Sequence, residues 1–151
     1  MTRRIRAVAA LLSAVVLSGC RADTAPTDLR TIARTGKPND ALACPVGLCR
    51  AEADRDGPSF ALSVGELTAR VVAVLSARPR TELVPEDPAL HQLVFVQHTA
   101  VFRFPDTVRV QVVASDGRTS LIAYSRSNYG YWDLGVNRAR LDRWLAAIIA
   151  G

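Results

Sequence analysis

Apolar and polar positions follow two different periods along the chain, and the helical period predicts two helices. Apolar residues recur at helical spacing after Ser63-Val64-Gly65-Glu66, which is a capping-box pattern, and the segment stops before Pro79. This predicts a helix over residues 64–77. A second helix is predicted over residues 137–150, with Asn137 as its N-cap.

Between the two helices the pattern changes to the period of two that is typical of β-strands. Strand segments are predicted at residues 81–84, which Pro85 closes, 92–98, 101–104, 107–112 and 119–126. The segment at 101–104 is interpreted as a continuation of 92–98 after a kink. The segment at 107–112 places valines on one face and polar side chains on the other.

Short turns join these segments, and Asp116-Gly117 is a strong hairpin signal, so the sheet is predicted to be antiparallel. Its apolar face needs cover, which the two amphipathic helices can supply. The sequence therefore predicts an α+β fold, a two-layer domain with an antiparallel sheet of about four strands covered by two helices.

The N-terminal residues have the pattern of an export signal. A basic segment at residues 1–6, with three arginines, precedes an apolar run at 7–17. This run is too short to span a bilayer core of about 30 Å. The run ends in Leu17-Ser18-Gly19-Cys20, which resembles the bacterial lipobox. That resemblance implies cleavage before Cys20 and lipid attachment to its thiol. The alternative is a plain signal peptide followed by a chance cysteine.

These features predict three regions: a signal peptide at 1–19, a lipid-anchored flexible tether at 20–40, and a single α+β domain at 41–151. The expected location is the bacterial cell envelope, with the domain facing the periplasm. Arg21 in the position after the cysteine slightly favours the outer membrane over the inner one.

The net charge gives no reason to expect a nucleic-acid partner. The chain of 151 residues has a formal charge of +5. Removal of residues 1–19 takes away three arginines and leaves 16 basic residues against 14 acidic ones, a formal charge of +2. The partners predicted are the membrane, through the lipid anchor, and an envelope protein or a small ligand.

Cys44 and Cys49 are predicted to form a local disulfide, because a close pair of cysteines outside the cytoplasm is typically oxidised. A redox pair, a metal site and free thiols are the alternatives. A zinc site needs four ligands, and no second Cys or His pair has a suitable spacing. No metal ion and no cofactor is therefore predicted.

The stretch of residues 125–140 combines charged groups, aromatic rings and glycines where a strand pattern changes to a helix pattern. Its candidate site residues are Arg126, Asp133, Asn137, Arg138 and Arg140. Near a helix N-terminus they could bind a carboxylate or phosphate. Alternatively, Asp133 neutralises Arg126 or Arg140, and the stretch is a structural ion-pair network.

Two further interpretations concern other side chains in and near this stretch. A catalytic triad could be drawn from Ser125 or Ser127 with His98 and Asp133, but no recognised motif supports it. The aromatic rings could stack a ligand, although they more often fill the seam between a strand and a helix. These rings are Tyr124, Tyr129, Tyr131 and Trp132.

The same stretch resembles a bacterial family, the "domain of unknown function 1499". The resemblance rests on Ser125-Arg126-x-x-x-Gly130-x-x-Asp133-x-Gly135-x-Asn137-x-x-Arg140, on Pro38-Asn39 before Leu42-x-Cys44-Pro45, and on Arg103-Phe104-Pro105-Asp106. It covers residues 37–149. The cysteine motif here is one residue shorter than the family's usual one and lacks its Asn-Cys-Val-Ser-Ser run. The resemblance implies no particular activity.

Three functional hypotheses follow from these observations. The first is a non-catalytic envelope lipoprotein that binds a partner or a small anionic or amphipathic ligand. The second is an envelope hydrolase with its site around Arg126, Asp133 and Arg140. The third is a purely structural lipoprotein. Whether the protein is an enzyme stays open, and no catalytic residue is assigned.

Overall fold

The computed structural model of the protein describes residues 21–151, except for the side chains of residues 85–87. The predicted signal peptide at 1–19 and the predicted lipidation site Cys20 lie outside this part. Within it, the chain forms β1 (Asp40–Ala43), β2 (Ser59–Phe60), α1 (Val64–Ser76), β3 (Thr81–Asp87), β4 (Gln92–His98), β5 (Pro105–Ser115), β6 (Arg118–Ser127) and α2 (Val136–Ala150).

The strands form one antiparallel sheet in the order β1-β6-β5-β4-β3, with β2 also paired to β6. This confirms the α+β class and the antiparallel sheet. The described part of the chain has six strands where about four were predicted. The two additional strands, β1 and β2, have only four and two residues and are too short to show a period of their own.

Two predicted strand boundaries are wrong. β3 does not end at Pro85 but reaches Asp87, with a register shift between Val84 and Asp87 where it pairs with β4. Residues 101–104 form a turn rather than a strand, because the backbone N–H of Thr99 donates to the carbonyl of Phe104 (3.0 Å). The predicted hairpin turn at Asp116-Gly117 is confirmed.

Both helices pack on the same face of the sheet, as predicted. Ser63 caps α1, and Glu66 reaches back to the Ser63 backbone N–H (2.8 Å), so the capping box is confirmed. The rings of Phe95 and Trp144 meet edge to face at 6.1 Å. The core on this face includes Leu67, Val71, Leu75, Leu93, Val108, Val110, Val112, Leu141 and Ile148.

The opposite face of the sheet is covered by the segment that precedes β1. Leu29 in this segment is fully buried, and it packs with Leu42, Ile122 and Tyr124 in a second hydrophobic cluster. The prediction of a flexible tether over 20–40 is therefore wrong for this part of the segment, since a residue with no exposed surface is fixed in the fold.

Polar side chains of the sheet hold the backbone of this segment in place. Gln111 accepts a hydrogen bond from the N–H of Leu29 (2.7 Å), and Gln92 both accepts from and donates to the backbone of Thr27. Arg109 donates to the carbonyl of Ala25 (3.0 Å). Polar side chains of β4 and β5 thus supply hydrogen-bond partners for the backbone groups of this segment.

Candidate functional site

At the centre of the C-terminal stretch is a buried arginine, Arg140, that joins α2 to three strands. The Arg140 side chain donates to Gln97 on β4 (2.5 Å), to Asp106 on β5 (2.5 Å) and to Ser125 on β6 (2.9 Å). It also donates to Asn137 one turn earlier in α2 (2.6 Å). The side chains of Arg140 and Asp106 are 3% and 4% exposed, so Arg140 is not free to bind a ligand.

Asn137 is the second buried member of this network. Its side-chain N–H groups donate to the Asn39 carbonyl (3.0 Å), to Ser127 (2.9 Å) and to Asp133 (2.7 Å), and its carbonyl oxygen accepts from Ser125 (2.6 Å). The prediction that Asn137 is the N-cap of α2 is wrong. Gly135 occupies that position, in the left-handed conformation that glycine adopts easily (φ 77°).

Asp133 stabilises the start of α2 instead of neutralising an arginine. Its two carboxylate oxygens accept from the backbone N–H groups of Gly135 and Asn137, both at 2.8 Å. A carboxylate at this end of a helix also interacts favourably with the helix dipole. The predicted pairing of Asp133 with Arg126 or Arg140 is therefore wrong. The carboxylate binds the backbone N–H groups at the start of α2 instead.

The other two arginines of the stretch pair with distant carboxylates. Arg138 lies 2.6 Å from Asp54, and Arg126 lies 3.4 Å from Asp23. Asp23 also lies 3.4 Å from Arg109, whose pKa is lowered by burial, with the Asp23 charge opposing that effect. The three arginines of the stretch thus form ion pairs with carboxylates that lie outside it.

The catalytic triad drawn from the sequence is not assembled. Ser125 and Ser127 both hydrogen bond to Asn137, and the Asp133 carboxylate binds the start of α2. His98 donates its backbone N–H to the Arg80 carbonyl (2.9 Å) and lies at the end of β4. Among the described side chains, no group of three or more His, Cys, Asp or Glu residues is placed to hold a metal ion.

Cys44 and Cys49 form the predicted disulfide. Cys44 follows β1 and is almost completely buried in the second hydrophobic cluster. The loop that the disulfide closes packs closely against Gly57. A Cβ added at Gly57 would lie 2.4 Å from the Leu121 carbonyl oxygen and 2.5 Å from Pro45 Cδ. The disulfide therefore belongs to a tightly packed corner of the fold.

A basic cleft that the sequence did not predict lies beside the buried arginine. Its volume is about 450 Å³, and it lies between the α1–β3 turn, the end of β4 and the exposed side of α2. Its basic lining residues are Arg78, Arg80, His98, Arg140 and Arg143. Among the described side chains, no carboxylate lines the cleft. Asp106, which is buried and outside the lining, neutralises Arg140.

The cleft arises from two elements that lie far apart in the chain. Arg78 and Arg80 flank Pro79 just after α1, while Arg143 lies on α2. The Arg80 side chain donates to the His98 carbonyl (3.1 Å), and Gln97 connects the wall at Pro79 to the buried Arg140. The local sequence signal at the cleft is Arg78-Pro79-Arg80, in which the proline predicts the end of a helix and the two arginines carry no recognised motif.

The exposed aromatic rings lie on the loops at the same end of the sheet. Tyr124 is buried, but Tyr129, Tyr131 and Trp132 are 43%, 68% and 66% exposed. For these three residues, the prediction that they fill the seam between strand and helix is wrong. Two side chains hold the backbone of the loop from β6 to α2: Asn39 donates to the Gly130 carbonyl (2.8 Å), and Asp133 accepts from the Gly135 N–H (2.8 Å).

Sequence comparison places the chain in a family. The family profile described as "Protein of unknown function (DUF1499)" matches residues 36–148, about three quarters of the chain. The chain belongs to the DUF1499 family. No curated protein sequence matches it.

The residues by which the chain resembles DUF1499 proteins meet in the buried network. Asn39 from the N-terminal motif, Asp106 from the central motif, and Ser125, Asn137 and Arg140 from the C-terminal motif are all almost completely buried. They are joined by the hydrogen bonds described above. In this DUF1499 member the signature therefore specifies a fold, with α2 fastened to the sheet.

Proposed function

We propose that the protein is a non-catalytic binding module of the bacterial cell envelope, anchored by lipid at Cys20. Its ligand site is the basic cleft, and its ligand carries a phosphate or carboxylate group. The single observation that carries this proposal is that several basic side chains line one open cleft without a carboxylate among its described lining residues.

Two arginines of this cleft, Arg78 and Arg143, have no carboxylate partner among the described side chains. Arg34, Arg55 and Arg138, by contrast, each lie against an aspartate. The Nε atom of Arg78 is buried and lacks a hydrogen-bond acceptor within residues 21–151. A buried donor without an acceptor costs about 1–3 kcal/mol, which a bound anion would recover.

Arginine is well suited to this role because its planar guanidinium binds carboxylates and phosphates through two parallel hydrogen bonds. The apolar part of the cleft, formed by Val136 and Trp144, would contact the carbon atoms next to such a group. A small amphipathic anion therefore fits the lining better than an uncharged ligand does.

A hydrolytic function has less support. The two serines that could act as nucleophiles are held by Asn137, and Asp133 is held by backbone N–H groups. An activated serine needs a base within hydrogen-bond reach. The polar groups of the stretch are arranged to satisfy one another, which is typical of a structural network.

The lipid anchor is tested separately from the cleft. Cys20→Ser is expected to release the protein from membranes and to abolish labelling with radioactive palmitate. A Cys20→Ser variant that sediments with membranes as completely as the wild type would contradict lipid anchoring. Cys44 and Cys49 are already joined to each other, so they do not compete for the label.

The cleft is tested by calorimetric titration of the detergent-solubilised full chain with inorganic phosphate and with glycerol phosphate. We expect saturable binding that weakens about tenfold or more in Arg143→Gln, because one charge-assisted hydrogen-bond donor is worth about 1.5–3 kcal/mol. Binding should also weaken as salt is added, because the cleft is open to solvent.

The matched control is Arg50→Gln, since Arg50 is exposed and lines a different cleft next to the disulfide. It removes the same charge and should leave both affinities unchanged. Equal loss in Arg50→Gln and Arg143→Gln would show that net charge alone attracts the anions. Absence of saturable binding by the wild type to either anion would contradict the proposed site.

A further inference from the structure

Exposed apolar side chains are concentrated on two loops that lie together at one end of the sheet. The end of β4 pairs with the start of β5 at His98 and Pro105, and the start of β5 pairs with the end of β6 at Asp106 and Ser127. The β4–β5 loop and the β6–α2 loop therefore leave the sheet side by side. The aromatic tip, as we name it, comprises Val101, Phe102, Phe104, Tyr129, Tyr131, Trp132 and Leu134.

Three rings of the aromatic tip are in contact across the two loops. Phe102 stacks on Phe104 with ring centroids 5.8 Å apart, and Phe104 lies 6.2 Å from Tyr129 on the neighbouring loop. Phe102 is nevertheless 75% exposed and Trp132 is 66% exposed. A contiguous exposed patch of this kind marks a surface that contacts another apolar phase.

The N-terminal end of the described chain is fastened to this same tip. The Tyr129 hydroxyl donates to the Arg21 carbonyl (3.1 Å), and the Asp23 backbone N–H donates to the Asn128 side chain (3.1 Å). Arg21 is covalently next to Cys20, the proposed lipidation site. The point where the chain would leave for the lipid anchor therefore coincides with the aromatic tip.

The charges around the tip also suit a membrane surface. Arg103 is exposed between two of the aromatic residues, and Arg21 is exposed beside Tyr129. The neighbouring carboxylates already have partners. Asp106 is buried against Arg140, Asp23 lies 3.4 Å from both Arg109 and Arg126, and Asp133 accepts from backbone N–H groups. Basic residues near a bilayer are attracted to anionic lipids, and Trp and Tyr rings prefer the headgroup region.

We propose that the aromatic tip docks on the surface of an anionic phospholipid bilayer. The rings insert into the headgroup region, Arg103 and Arg21 contact lipid phosphates, and the domain is held close to the membrane in one orientation. The docking rests on the proposed lipid anchor for its attachment but not on the basic cleft. It adds a protein contact with the membrane to that of the acyl chains.

The chain contains a built-in reporter for this docking. Of its two tryptophans, Trp132 lies on the tip, and Trp144 is 4% exposed in the core. The lipidated full chain is reconstituted into phosphatidylethanolamine–phosphatidylglycerol vesicles whose acyl chains carry bromine, a short-range quencher. The emission of the Trp132→Phe variant comes from Trp144 alone. Subtracting it from the emission of the wild type leaves the contribution of Trp132. We expect blue-shifted, strongly quenched emission from Trp132.

The variant that tests the contact is Val101→Ser/Phe102→Ser, since both side chains are more than 70% exposed and their loss leaves the core intact. This double variant should still sediment with vesicles, because it keeps its lipid. The ratio of docked to undocked tips should fall about tenfold or more, because less apolar surface is buried. The matched control is Val46→Ser, because Val46 is 91% exposed on the disulfide loop. It should leave the quenching unchanged.

The outcomes separate the anchor from the tip. Loss of sedimentation in Cys20→Ser reports on lipidation, whereas quenching of anchored protein reports on docking alone. Unquenched Trp132 in fully anchored protein would overturn the proposal. Concentration-dependent self-association that Val101→Ser/Phe102→Ser abolishes, without quenching of the wild type, would assign the tip to a second copy of the chain instead.

Discussion

Arg140 lies 2.5 Å from Asp106, and this ion pair is almost completely removed from solvent. The two residues are 34 positions apart and belong to α2 and β5. Removal of two charges from water is unfavourable unless other hydrogen bonds satisfy them. Gln97, Ser125 and Asn137 supply those bonds to the guanidinium, which explains how the pair is tolerated.

Loss of either partner should therefore be severe. Arg140→Met is expected to lower the free energy of unfolding by about 3–5 kcal/mol, because it leaves Asp106 buried without a counter-charge. Urea denaturation followed by circular dichroism measures this. Arg140→Met/Asp106→Leu should regain much of the loss, because the isolated carboxylate is gone.

Arg138→Met is the matched control for this prediction. Arg138 pairs with Asp54 from the surface, and its side chain is 60% exposed. An exposed pair contributes about 1 kcal/mol or less. If Arg140→Met destabilised the protein no more than Arg138→Met does, the buried network would not be what fastens α2 to the sheet.

The segment before β1 should contribute to stability as part of the core. Leu29→Ala is expected to cost about 2–5 kcal/mol in the free energy of unfolding, since Leu29 is fully buried. Val46→Ala, at a residue that is 91% exposed, should change it by about 0.5 kcal/mol or less. Equal effects of the two substitutions would mean that the segment is a tether after all.

Acid should weaken the fold through Asp40. Burial pushes the pKa of this carboxyl up, but hydrogen bonds from Arg34, Tyr124 and the Thr35 backbone outweigh burial and hold the pKa below its usual value. A carboxyl with a lowered pKa in the folded state stabilises that state above its unfolded pKa of about 3.9. This stabilisation is lost as the pH falls through the folded pKa.

We therefore expect the free energy of unfolding to decline below about pH 4 and to decline less steeply in Asp40→Asn. Urea denaturation at a series of pH values measures the slope. Asp116→Asn, in the exposed hairpin turn, is the control for removal of one carboxyl group. Parallel profiles for the wild type and Asp40→Asn would exclude Asp40 as a source of acid sensitivity.

The sequence by itself determined the elements whose signals are local. The capping box at Ser63 and Glu66 correctly placed the start of α1, because a cap is made by residues three positions apart. The alternation along β5 and the turn at Asp116-Gly117 correctly gave a hairpin. The family was also evident from the sequence, and it is confirmed.

The tertiary structure alone decided which groups meet. In the sequence, Asp133 is the carboxylate nearest to the arginines of its stretch. In the structure those arginines pair with distant carboxylates: Arg140 with Asp106, Arg126 with Asp23 and Arg138 with Asp54, the last two more than 80 positions away. Periodicity shows which face of a strand is polar, but it cannot show that residues 23–29 return to cover that face. Long-range pairing depends on how strands are ordered in the sheet, and the chain carries no local signal for that order.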